Sequence, residues 1–269
     1  MVKIGFIGTG SMGEMLIRKF TETGTVAASD IIASNRSIDK LESLSRKTCI
    51  RAAKDNRDVV KRSDVIFLCV KPIDARGVLK EAWDILTPEK LLVSIVSDVT
   101  INDIRSLCGA RVIRVVPSIT AECSKGISLV SFGANATKAD RGLVLSLLAA
   151  IGKPVEADEK DFELLADLTS CAPAFIAAMM QEMALSAARK GISQDQAELL
   201  VRETLAGTAE LLSRDGRGFD ELVGRVATKG GITEEGVNVI KNEIPAMYDD
   251  ILKVTLAKHQ LVKDKLRGQ

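Results

Sequence analysis

The chain has 269 residues, enough for one large or two medium domains that each carry a core. Its 37 basic and 36 acidic residues leave a net charge of +1, so a polyanion-binding surface for nucleic acid is not expected, and no unbroken apolar run approaches the roughly 18 residues that span a bilayer. The five cysteines (Cys49, Cys69, Cys108, Cys123, Cys171) are odd in number and scattered, and no signal-peptide pattern precedes the first strand, so a cytoplasmic protein with reduced thiols, no metal site and no membrane contact is expected.

Lys3–Ile7 reads as a first strand, and Gly8-Thr9-Gly10-Ser11-Met12-Gly13 follows it directly as G-x-G-x-x-G. Each glycine has a distinct task in a dinucleotide site. Gly8 permits the tight turn, Gly10 lets backbone approach a pyrophosphate, and Gly13 lets the next helix pack closely on the strand. The helix expected over Met12–Thr23 then points unpaired N–H groups and its positive dipole end at the phosphates. A second strand, Ile31–Ser34, delivers Asn35, Arg36 and Ser37 where an NAD site usually places a carboxylate. A guanidinium beside small polar donors suits a 2′-phosphate, so NADP(H) is expected in preference to NAD(H).

Further along, a helix over Ile38–Arg46, a weak strand near Cys49–Ala52 and a strand over Asp64–Val70 are expected. The last of these is apolar on both faces, as a central parallel strand should be. Its carboxyl end carries Val70-Lys71-Pro72, beside the cofactor in a sheet of this kind. The cofactor-binding set on this reading is Gly8, Gly10, Ser11, Met12, Gly13, Asn35, Arg36, Val70, Lys71 and Pro72. A helix over Ile73–Leu86, strands over Leu91–Val96, Val112–Val116 and Ile127–Phe132, and a helix over Lys138–Ile151 complete the alternation of a doubly wound α/β domain at residues 1–155.

Beyond Gly152-Lys153-Pro154 the strand signal stops, and residues 156–269 read as helical, with breaks at Lys190-Gly191, Asp215-Gly216-Arg217-Gly218, Lys229-Gly230-Gly231 and Ile244-Pro245. The stretch Ala174–Met180 is apolar around nearly its whole circumference and needs cover on several sides, as in a homodimer where this helix packs on its mate. Met179, Met180 and Met183 are expected to fill a core. The single histidine, His259, falls on the polar end of the last helix and is expected to be solvated. Tyr248 has no lysine four residues on. With so little side-chain acid/base capacity, reduction of an already electrophilic protonated imine fits better than alcohol oxidation.

Taken together, Gly5–Gly13, Asn35-Arg36, Cys69–Pro72, Arg114-Val115-Val116-Pro117, Pro173-Ala174-Phe175 and Lys229–Thr233 resemble the pyrroline-5-carboxylate reductases across essentially the whole chain. The resemblance implies an N-terminal Rossmann domain with a C-terminal all-helical dimerisation domain, and a small-molecule cyclic imine as substrate. It also implies that the substrate carboxylate sits at Gly230, Gly231, Ile232 and Thr233, with the Thr233 hydroxyl acting catalytically near the imine nitrogen. Four segments depart from the family pattern: Ser118 after Val116-Pro117, Thr169–Pro173, Thr228-Lys229 before the glycine pair, and Glu234 after Thr233. These make the chain look most like a divergent late-competence, ComER-type branch. A nucleotide-binding regulatory protein is therefore a second expectation and a β-hydroxyacid dehydrogenase a third. Cys171 has no histidine near it in sequence and reads as a packed residue, not a nucleophile.

Overall fold

The computed structural model describes residues 2–216 and 218–267; Arg217, in one of the expected helix breaks, lies outside them. Contacts divide the chain into two compact units, 1–171 with 256–269, and 172–255. The sequence boundary at 155/156 marks where strand character fades, whereas the first unit also holds the helical turns up to 171 and the last turns of the chain.

In the first unit, β1 (Ile4–Ile7), α1 (Ser11–Glu22), β2 (Ile31–Ser34), α2 (Ile38–Thr48), β3 (Arg51–Ala52), α3 (Asn56–Arg62), β4 (Val65–Leu68), α4 (Pro72–Glu81) and β5 (Leu91–Ser94) alternate as the sequence suggests. They are followed by α5 (Ile101–Arg105), β6 (Arg111–Pro117), β7 (Gly126–Phe132), α6 (Lys138–Ala149), β8 (Gly152–Glu156) and α7 (Phe162–Ala166), which runs into a π-helical turn at Asp167–Cys171. The eight strands form one sheet in the order β3-β2-β1-β4-β5-β6-β7-β8, and every neighbouring pair is parallel except β6 with β7.

Residues 4 and 6 of β1 face a core layer shared with α1, α2 and α6, and Ile7 faces a second layer shared with α3, α4 and α5. This alternation explains why β1, β2, β4 and β5 are buried on both faces. Phe6 stacks on Phe67 at 4.9 Å between ring centroids, and Phe20 meets Phe67 edge-on at 5.8 Å. Each such ring removed from water contributes about 1.5–3 kcal/mol. The trio fixes α1 against the two strands between which the chain reverses direction across the sheet.

β8 corrects the expectation that strands end before residue 152. Its sequence, Gly-Lys-Pro-Val-Glu, lacks strand signal because glycine and proline open it, yet an edge strand tolerates proline where the missing N–H would face away from the ladder. Gly152, at φ +149°, lies so close to Gly126 that a Cβ would strike its backbone.

The second unit holds α8 (Ala172–Ala188), α9 (Gln194–Asp215), α10 (Phe219–Val226) and the start of α11 (Ile232–Arg267), whose turns from Leu256 onward belong to the first unit. The expected break at Ile244-Pro245 does not occur: Pro245 lies inside α11. Lys241, whose carbonyl loses its donor to the proline, is exposed, and water can satisfy it. In α8 only Ala184 is buried among the described residues, and Ile176 and Met183 are exposed. The methionines there do not fill a core within one protomer. By length and composition alone the helical stretch 159–188 is apolar enough to cross a membrane, but no unbroken apolar run in it reaches that length: Glu159, Lys160, Asp161, Glu163, Asp167 and Glu182 all fall inside it.

Candidate functional site

The chain crosses from the β2 side of the sheet to the β4 side at the carboxyl ends of β1 and β4, the place where open α/β sheets bind ligands. Gly8 makes its turn at φ +95° and donates its N–H to the Ser34 carbonyl at 2.9 Å. A Cβ on Gly8 would meet the Cys69 carbonyl and the Val70 side chain, and one on Gly13 would meet the Gly8 carbonyl, so both glycines are needed for packing at the β1–α1–β4 junction. Gly10 differs. Nothing lies within 4 Å of the place its Cβ would occupy, so no neighbouring protein atom requires a glycine there.

Helix N-termini around this edge fall into two groups. α3 and α5 are capped by the side chains of Asp55 and Thr100. In contrast, α1, α2 and α4, which follow β1, β2 and β4, begin at Gly10, Ser37 and Lys71 with no side-chain cap. Uncapped N–H groups carry partial positive charge and await an acceptor. Ser11 and Met12 open α1, Ser11 exposed and Met12 half-buried against the core. The Thr9 hydroxyl is buried here without a hydrogen-bond partner. Open space at Gly10, an orphaned hydroxyl and three bare helix ends together fit a dinucleotide pyrophosphate.

At the end of β2 the Asn35 amide oxygen accepts the Thr9 N–H at 3.3 Å, and its NH2 donates to the Ser37 carbonyl at 3.1 Å. Arg36 is 84% exposed and reaches Asp74 in the first turn of α4 through contacts of 3.2 and 3.4 Å. An ion pair this open to water contributes little, so its guanidinium is available to a stronger anion. Val70 is half-buried, Lys71 is exposed, and Pro72 is the first residue of α4. Cys69, beside them, is half-buried, and desolvation pushes its thiol far up.

In the second unit, Gly230 adopts φ +73° and Gly231 donates to the Thr228 carbonyl at 2.9 Å, forming the turn into α11. Ile232 is almost wholly exposed and Thr233 is exposed. Their N–H groups open the helix, where no intrahelical acceptor exists. The Gly230 N–H, expected to face substrate, instead donates to the Glu234 carboxylate at 2.7 Å. Two other departures have structural roles: the Ser118 hydroxyl donates to the Thr169 carbonyl at 2.8 Å, and the Ser170 hydroxyl to the Pro117 carbonyl at 2.9 Å. Together they tie the end of β6 to the π-helical turn.

His259 is not the solvated residue expected. Its side chain is 23% exposed, and Nδ1 lies 2.8 Å from Asp98, with Nε2 3.9 Å from Asp167. No sequence spacing joins residues 98, 167 and 259. The one visible signal was a lone histidine on an otherwise Lys-rich helix end. Burial and the neighbouring carboxylates Asp167 and Asp98 push the Cys171 thiol upward, consistent with a packed residue.

Comparison with known proteins accords with this geometry. Residues 3–98 match the family model described as NADP oxidoreductase, coenzyme F420-dependent, and residues 159–261 match that of pyrroline-5-carboxylate reductase dimerisation. A pyrroline-5-carboxylate reductase of Methanosarcina acetivorans is 33% identical over 89% of each chain. The chain belongs to the pyrroline-5-carboxylate reductase family. Like that family it is an NAD(P)H-dependent oxidoreductase. ComE operon protein 4 of Bacillus subtilis is also similar, at 31% identity over 96% of each chain. Among solved structures, the pyrroline-5-carboxylate reductase of Coxiella burnetii superposes with a TM-score of 0.87 at 26% identity, covering 98% of both chains. The Plasmodium falciparum pyrroline carboxylate reductase, solved with NADP bound, shares the fold at a TM-score of 0.87 and 22% identity, covering 97% of this chain and 98% of that one.

Proposed function

We propose that the protein reduces 1-pyrroline-5-carboxylate to proline with NADPH, working as a cytoplasmic homodimer. The observation that carries the cofactor half is the coincidence of three uncapped helix ends with the open face of Gly10. Gly8, Gly10, Ser11, Met12 and Gly13 would hold the pyrophosphate, and Val70, Lys71 and Pro72 would border the cofactor on the β4 side. Asn35 and Arg36 would take the 2′-phosphate, Arg36 exchanging the Asp74 carboxylate for a dianion; this supports NADP(H) over NAD(H). When bound, the nicotinamide supplies the hydride.

For the substrate half, the N–H groups of Ile232 and Thr233 open a long helix whose dipole favours a carboxylate, while the Gly231 N–H is held by the Thr228 carbonyl and shapes the turn. The Thr233 hydroxyl would sit at the imine nitrogen and accept the N–H of its protonated form. Titration with L-proline in the presence of NADP⁺ tests this assignment: saturable binding is expected, weakened in Thr233→Ala and more so in Gly231→Val, while NADPH affinity stays unchanged in both. Wild-type binding that is indifferent to both substitutions would refute it. A second reading, a nucleotide-binding regulatory protein without turnover, draws on the Gly230–Glu234 contact and on the similarity to ComE operon protein 4.

A further inference from the structure

We propose that His259 is a positioning residue that holds the loop following β5 through Asp98. The inference rests on the cofactor reading above. A dinucleotide whose adenosine half lies toward β2 has its nicotinamide half over the carboxyl ends of β4 and β5, because the two halves straddle the point where the strand order reverses. The loop Ile95–Thr100 leaves β5 on that side.

Within this loop Asp98 adopts φ +59°, a left-handed conformation uncommon outside glycine. Its side chain is 7% exposed and meets His259 at 2.8 Å. On the other side of the ring stands Asp167, from the π-helical turn, with 1% of its side chain exposed. One helical turn after His259, Lys263 pairs with Glu163 of α7 at 2.7 Å. Glu163 and Asp167 are four residues apart, as are His259 and Lys263, so the end of α11 docks as a two-rung ladder on α7 and its continuation. His259 adds a third contact, to the loop. The ladder fixes the ring, and the ring fixes Asp98. Cys171 also lies against this cluster, and burial together with the two aspartates pushes its thiol upward.

Amide hydrogen exchange of the full chain, with and without NADPH, tests the proposal. In His259→Ala the amides of Ser97–Thr100 should exchange about tenfold faster while those of β1 and β4 are unchanged. His259→Asn, which keeps an N–H near the Nδ1 position, should restore most of the protection. Asp98→Gly suits the left-handed backbone and so should fold, yet it should release the loop as His259→Ala does. Steady-state assays add a second readout: kcat should fall several-fold in His259→Ala at unchanged KM for NADPH. Loop exchange unaltered in His259→Ala and Asp98→Gly overturns the proposal, as does a rise spread evenly over the chain. A wild type that turns over no imine would contradict the proposed function, and the exchange data would still decide the role of His259.

Discussion

Arg36 is the residue on which the proposed cofactor preference turns. It sits where NAD sites place a carboxylate, and in this structure its exposed guanidinium pairs with the partly buried Asp74. Arg36→Ala should remove charge-assisted contacts worth about 1.5–3 kcal/mol and abolish a preference for NADPH over NADH in fluorescence titration. Equal wild-type affinities for the two nucleotides would contradict the role. Asp140 shows how the scaffold answers to pH. Burial alone would raise its carboxyl, but hydrogen bonds from Arg111 and Thr137 outweigh that and hold it below the ordinary value. A carboxyl depressed on folding stabilises the fold above its unfolded value, near 3.9, and loses that contribution as pH falls through the folded value. Asp140→Asn should therefore be less stable than wild type at neutral pH by about 1–3 kcal/mol, with the gap closing below about pH 4 in urea melts.

Among the elements, the β1–α1 junction separates glycines that serve the fold from one proposed to serve a ligand. Gly13→Ala forces a Cβ against the Gly8 carbonyl and should lower the melting temperature. Gly10→Ala meets no protein atom and should melt like wild type, yet bind NADPH more weakly. If Gly10→Ala binds normally, the pyrophosphate does not pass there. The first strand, its glycine turn and the apolar β4 were legible because local pattern and tertiary role coincide: a strand buried on both faces is written as a continuous apolar run. β8 was not legible, since an edge strand bearing Gly152 and Pro154 is specified by its neighbour β7 and not by its own residues. Nor was continuity through Pro245, because the cost of proline in a helix depends on whether solvent reaches the freed carbonyl. The His259 cluster escaped notice for a third reason: Asp98, Asp167 and His259 come from a loop, a π-helical turn and a helix end, and only the fold assembles them.

For the whole molecule, α8 poses the question of assembly. Met183 is 60% exposed in one protomer, and little of this strongly apolar helix is buried. The native protein should sediment as a dimer at micromolar concentration. Met183→Asp should drive it toward monomer, because a carboxylate at a covered position is desolvated without a partner. A folded wild-type monomer at that concentration would contradict the dimer. The central claim concerns chemistry, and steady-state oxidation of NADPH in the presence of 1-pyrroline-5-carboxylate tests it most directly. Saturable turnover, faster with NADPH than with NADH at equal concentration, is the predicted result. Tight NADPH binding with no oxidation, in an assay where an authentic pyrroline-5-carboxylate reductase turns over, would contradict it.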